Sequence, residues 1–172
     1  IGERPFAEFL AAYLPARPGV IETTEGRVLG EHRGLMYYTL GQRQGLLLGG
    51  VRGAAEAPWY VVHKDLARNV LVVTQQHDDP GLMCVEFETE PVHWIGADPP
   101  ADGLSCTVGT RHRQRDRACT VSVLADGGCR VATEQPQRAV TPGQSAVFYD
   151  GETCLGGGVI PRVFSAADAE RR

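Results

Sequence analysis

Gly30-Glu-His-Arg-Gly-Leu-Met-Tyr-Tyr-Thr-Leu-Gly-Gln-Arg-Gln-Gly-Leu46 mixes glycine, charge and aromatic residues at a density that packing alone does not require. Glycines at 30, 34, 41 and 45 punctuate the backbone where it must turn or approach another surface, and a core helix needs none of them. Leu35, Met36, Tyr37, Tyr38 and Leu40 supply apolar anchors between them. The stretch reads as a rigid loop scaffold. Two roles fit its residues: a glycine-rich connector with buried tyrosines, or a binding loop.

Upstream, Phe6, Phe9, Leu10 and Tyr13 recur at three- and four-residue spacing behind Pro5, which predicts a short amphipathic helix ended by Pro15 and Pro18. Val20-Ile-Glu-Thr23 and Arg27-Val-Leu29 flank Thr24-Glu-Gly26 as a hairpin. Downstream, Trp59 to His63 and Val70 to Thr74 bracket Lys64-Asp-Leu-Ala-Arg-Asn69 as a second antiparallel pair. His77-Asp-Asp-Pro-Gly81 is the strongest break in the rest of the chain, and charge divides there: 8 basic against 7 acidic residues before position 76, 9 against 14 from it onward. The expected organisation is a central domain over 1–76, a second domain over 82–164 and a tail over 165–172.

The second domain is predicted from short β-like runs: Met83 to Phe87, Val92 to Trp94, Ser105 to His112, Cys119 to Leu124, Arg130 to Thr133, Ala146 to Tyr149 and Val159 to Phe164. Ala97-Asp-Pro-Pro-Ala-Asp-Gly103, Asp126-Gly-Gly128, Gln135-Pro136 and Asp150-Gly151 separate them. Strands this short and this regular indicate a mainly β chain ending in a small antiparallel barrel or sandwich.

Composition excludes several classes. Hydrophobic residues make up 42% of the 172, and no apolar run approaches the ~20 residues that span a bilayer. A net charge of −4 argues against a protein coated in basic charge for nucleic acid, so any RNA contact must be local. Five cysteines, at 84, 106, 119, 129 and 154, fit neither a disulfide framework nor a zinc site, and read as free thiols of a reducing cytoplasm. The histidines at 32, 63, 77, 93 and 112 form no metal-ligand spacing, so no metal is expected.

Arginines at 111, 113, 115 and 117 give Leu104 to Arg117 a local charge of +3 after Asp116 is subtracted. In an extended segment they share one face about 6.6 Å apart, a spacing suited to consecutive phosphates. The same arginines also fit a solvated edge with no ligand. Gln144, in Val140-Thr-Pro-Gly-Gln-Ser145, is expected at the tip of a tight turn, where its amide can both donate and accept. Glu31, His32, Gln42 and Arg43 are expected to be structural. Leu155-Gly-Gly-Gly158 lacks the Gly-Lys-Ser/Thr ending of a phosphate loop, and Cys154 beside it is expected in the barrel core.

The opening stretch, Gly-Glu-His-x-Gly-Leu-x-x-Tyr-Thr-Leu-Gly-Gln-Arg-x-Gly-Leu, resembles the signature of the bacterial tRNA-specific 2-thiouridylases. Ile1-Gly-Glu-Arg-Pro-Phe6, Pro58-Trp-Tyr-Val-Val62, Thr110-Arg-His-Arg-Gln114, Val140 to Tyr149 and Cys154-Leu-Gly-Gly-Gly-Val-Ile160 follow in the family's order. Gln44, where a lysine is common, is a small departure. The resemblance implies a β-barrel similar to those of translation factors, tRNA contacts at Arg111, His112 and Gln144, and no catalytic residue in this segment. Arg113 joins the expected RNA-binding residues by its charge, and Gly2, Glu3 and Arg4 are expected near the active site of the intact enzyme.

That enzyme is expected to use ATP to activate the wobble uridine and a cysteine persulfide, supplied by a sulfur-relay protein, to thiolate it. This chain is accordingly expected to be the C-terminal, cytoplasmic portion of a longer protein, inactive alone and without a cofactor of its own. The alternatives are an autonomous RNA-binding or protein-interaction barrel, and a sulfurtransferase acting through Cys154.

Overall fold

The computed structural model describes residues 15–48, 55, 57–96, 100, 103–111 and 114–169, so the helix expected over 5–13 lies outside the described residues. The chain divides into two compact units, with the division between Asp79 and Pro80.

In the first unit β1 (Gly19–Thr23) and β2 (Val28–His32) form one antiparallel hairpin, and β3 (Tyr60–Asp65) and β4 (Val70–Thr74) form another. Both were legible from their turns. What joins them was not: β1 runs parallel to β4, from Val20 opposite Val70 to Thr23 opposite Val73, giving the order β2-β1-β4-β3. Ile21, Val61, Leu71 and Val73 are fully buried on this sheet.

The segment after β2 packs onto that sheet as a loop with a single 3-10 turn, Leu35–Tyr37, and it delivers Leu35, Tyr38 and Leu46 to the core. Gly41 and Gly45 take φ of 77° and 78°, a region that side chains resist. The Gly41 N–H donates to the Val61 carbonyl at 2.8 Å, and the Val61 N–H donates to the Gln42 carbonyl at 3.1 Å, so the loop is stitched to β3. Lys64 Nζ reaches the Tyr38 carbonyl at 2.9 Å, and burial lowers its pKa. On the β3–β4 turn, Arg68 grips Glu22 with two hydrogen bonds of 3.0 and 2.9 Å.

The second unit is an eight-stranded sheet ordered β12-β5-β9-β8-β7-β10-β11-β6, antiparallel throughout. Its strands are β5 (Met83–Glu88), β6 (His93–Trp94), β7 (Leu104–Gly109), β8 (Arg117–Val123), β9 (Cys129–Arg138), β10 (Ser145–Asp150), β11 (Thr153–Val159) and β12 (Arg162–Ser165). The sheet curls into a half-barrel, and the segment leaving β5 ties its two sides: the Thr89 N–H donates to Cys129 and the Glu90 N–H to Val159, both at 2.8 Å. Phe87, Val108, Val121, Val131, Phe148 and Ile160 form its solvent-free centre.

Several local expectations are corrected here. Gln135-Pro136, read as a break, lies inside β9. The pairing jumps from Cys84–Gln137 to Glu86–Ala132, so a bulge accommodates a proline that has no N–H to give. The glycines of 156–158, which the sequence allows as a bend or as close packing in the barrel, are closely packed in the middle of β11. A Cβ on Gly156 would meet the His93 carbonyl and the Trp94 backbone, which shows why only glycine fits. Ser165, assigned to the tail, ends β12, and a helical turn, α1 (Ala166–Ala169), follows it.

Cys154 is half-buried in β11 opposite Tyr149 rather than in the core. The buried thiols are Cys84, Cys119 and Cys129, and desolvation raises them all, Cys84 to about 12 and Cys129 to about 11.

Candidate nucleic-acid interface

The groove of interest lies where β7 and β10 pair. Val147 stands opposite Gly109 and Tyr149 opposite Thr107, so alternation sends Phe148 into the core and turns Val147 and Tyr149 to the other face. Beyond Gly109 the chain leaves the strand. Thr110, buried, donates its hydroxyl to Gln137 Oε1 at 3.2 Å and fixes the exit, after which the Gln114 N–H donates back to the Arg111 carbonyl at 3.2 Å. The return strand begins at Arg117, opposite Val108.

The described arginines of 111–117 do not share one strand: Arg111 lies in a bend beyond β7, Arg115 is in neither strand and Arg117 opens β8. Of these, Arg111 lines the groove, while Arg115 and Arg117 are exposed. His112 and Arg113 lie outside the described residues, as do Gly2, Glu3 and Arg4.

The opposite wall comes from the start of β10. The Gln144 N–H donates to the Thr141 carbonyl at 3.2 Å, with Pro142 and Gly143 between them and Gly143 at φ 87°, which is the tight turn that Pro-Gly predicts. Gln144 Oε1 accepts the Thr141 N–H at 3.0 Å. With the oxygen engaged, the amide nitrogen is what Gln144 presents as a donor.

Arg111 and Gln144, 33 positions apart, thus line one groove of about 540 Å³ together with Gln114, Asp116, Ser145, Val147 and Tyr149. Burial, and after it the like charge of Arg138, push the Arg111 guanidinium below its ordinary value. That value is so far above neutrality that it stays a cation. A guanidinium in a half-buried setting is suited to an anion.

Sequence reasoning missed Asp116 and Tyr149 as lining residues. Asp116 is masked by the arginines around it, and Tyr149 reaches the groove only through strand register. Of the remaining candidates, His32 and Gln42 are bound into the fold, whereas Glu31 and Arg43 are exposed. His32 is 1% exposed, with Nε2 donating to the Asn69 carbonyl at 3.1 Å, and Gln42 staples its own loop through the Thr39 N–H and the Gln44 carbonyl. Arg43 lines a separate hollow of the first unit, with Leu46, Leu48 and Trp59.

The glycine run of β11 is filled by neighbouring backbone and offers no cradle for a phosphate, so the described residues do not fit ATP there. Among the described residues no cluster of three or more His, Cys, Asp or Glu is placed to hold a metal, and no helix is long and apolar enough to cross a membrane.

Comparison with known proteins gives each unit a family. Residues 7–75 match the tRNA methyl transferase PRC-barrel domain, and residues 85–160 match the aminomethyltransferase beta-barrel domain. The chain is similar to the tRNA-specific 2-thiouridylase MnmA of Chromohalobacter salexigens, with 59% identity, and to those of Shewanella amazonensis, 56%, and Xanthomonas axonopodis pv. citri, 58%. Each alignment covers 160 residues, 93% of this chain and 42% of the relative.

The class is thus that of chains carrying a tRNA methyl transferase PRC-barrel domain and an aminomethyltransferase beta-barrel domain in tandem. Within it, identity across both units is decisive: the chain belongs to the tRNA-specific 2-thiouridylase family.

Proposed function

We propose that this chain is the tRNA-holding part of a tRNA-uridine 2-sulfurtransferase, and that the β7–β10 groove is where its barrel grips the nucleic acid. One observation carries the reading: Arg111 and Gln144, distant in sequence, line a single groove, and the like charge of Arg138 is felt by the Arg111 guanidinium. A guanidinium aimed at phosphate and an amide donor aimed at a ribose or base suffice to position RNA without chemistry. Position is what a thiolation enzyme needs from such a domain, since its target base must be presented to a separate site. His112 and Arg113 would extend the same grip.

The chain spans 42% of the length of these relatives. The steps of the whole reaction, ATP-dependent activation of the uridine and sulfur delivery from a persulfide donor protein, are assigned to residues beyond those described. By itself the chain is expected to be inactive in thiolation, and its working compartment is the cytoplasm.

The test is tRNA binding by the full chain across a salt series, beside Arg111→Ala. Removing one phosphate contact should reduce the log–log salt slope by about 0.7–0.9 and weaken binding about tenfold at moderate salt. A variant with the wild-type slope and affinity contradicts the reading.

A further inference from the structure

One wall of the groove is a single excursion of the chain: Gly109, Thr110, Arg111, Gln114 and Asp116 all lie between the middle of β7 and the start of β8. At the foot of that excursion two thiols meet. Cys106 and Cys119 are direct partners across the two strands, with their Sγ atoms 3.6 Å apart. Cys119 is 3% exposed, and Cys106 is half-buried at the margin of the same core. Direct antiparallel partners stand about 4.5–5.5 Å apart at Cα, inside the span of about 4.4–6.8 Å that a disulfide bridges. The sulfurs need to approach by only ~1.5 Å to bond, which side-chain rotation supplies without moving a strand. Cys84, by contrast, turns its thiol to the Glu86 carbonyl at 3.4 Å.

We infer that Cys106 and Cys119 form an oxidation site, at which hydrogen peroxide creates a disulfide that staples β7 to β8 beneath the wall carrying Arg111. Cys106, the more accessible thiol, reacts first. Its sulfur attacks one peroxide oxygen, the O–O bond breaks, and the departing hydroxide takes the thiol proton as water, leaving a sulfenic acid. The Cys119 sulfur then attacks the Cys106 sulfur, the S–O bond breaks, and the second hydroxide leaves as water with the Cys119 proton. Two thiols lose two electrons, and one peroxide becomes two waters. Burial raises both thiols above their ordinary value, so at neutral pH the reduced S–H···S pair persists until the peroxide load is high. Disulfides of this kind in a reducing compartment are transient and redox-sensing rather than structural.

The staple is independent of whether the groove binds RNA, so its test needs no nucleic acid. The full chain is titrated with hydrogen peroxide, and its free thiols are counted in denaturant without reductant. The count should fall from five to three and return to five with a dithiol reductant. Peptide mapping of the oxidised chain should join Cys106 to Cys119. Closing the ring of residues 106–119 should raise the Tm of the second unit by at least about 5 °C, and reduction should cancel the rise. Cys106→Ala, at a half-buried position where folding can be checked by its own melting curve, should lose both the two-thiol drop and the rise in Tm.

A chain that keeps five thiols under peroxide, or that carries Cys106 only as sulfinic acid, overturns the oxidation site. So does a disulfide that joins Cys106 to Cys129 or to a second copy of the chain. A Cys106–Cys119 bond that leaves Tm unchanged or lowers it overturns the staple.

Discussion

Phe148→Ala is expected to destabilise the second unit by about 3–5 kcal/mol, the range for deleting a fully buried phenyl ring. Phe148 is 0% exposed and stacks on Trp94, with ring centroids 5.6 Å apart and planes 21° from parallel. It sits mid-strand in β10, opposite Val108 on one side and Gly156 on the other, so its ring joins three strands at the centre of the curl. Little can collapse into the space, because the neighbours are short strands locked by their ladders. For a unit of this size the loss corresponds to about 12–40 °C in Tm. Thermal unfolding followed by circular dichroism checks it. Val147 and Tyr149 hang on the other face of the same strand, so tRNA affinity should fall at temperatures where the variant begins to melt.

Gly156→Val should cost about 2–4 kcal/mol by the opposite route, overpacking and backbone strain instead of a cavity. A Cβ there meets the His93 carbonyl, and stands 3.0 Å from Trp94 Cα and 3.1 Å from Trp94 Cε3. The φ of 156° adds a conformation that a β-branched residue resists. The obstacle is backbone, so β6 must move off β11, and the Phe148–Trp94 stack goes with it. The urea midpoint should drop, and Gly156→Ala should show a smaller drop of the same sign. A midpoint unchanged in both variants would mean that β6 is not held against β11 as described.

Where the sequence was legible, the information was local. Thr24-Glu-Gly26 and the 64–69 turn identify the two hairpins because each places turn formers between β-branched runs. The parallel contact of β1 with β4 leaves no local trace, since the two strands lie almost fifty positions apart. Pro136 and Gly156 are strand breakers by propensity, and tertiary structure overrides it: a bulge spares the proline its missing N–H, and Trp94 occupies the room that the glycine leaves.

The site divides the same way. Arg111 and Gln144 came from the resemblance to a family, and the Pro-Gly turn was readable. The described arginines do not share one strand face because alternation holds only while a strand continues, and β7 stops at Gly109. Tyr149 became a site residue only through the β7–β10 register, and Asp116 only through the connection that returns from Gly109 to β8.

The most direct test of the central claim is amide hydrogen exchange of the full chain with and without a tRNA carrying a wobble uridine. A grip in the β7–β10 groove predicts slowed exchange concentrated between Leu104 and Arg117 and between Thr141 and Asp150, and loss of that protection in Arg111→Ala. Bound tRNA that leaves both segments unprotected, or protects only the first unit, would contradict it.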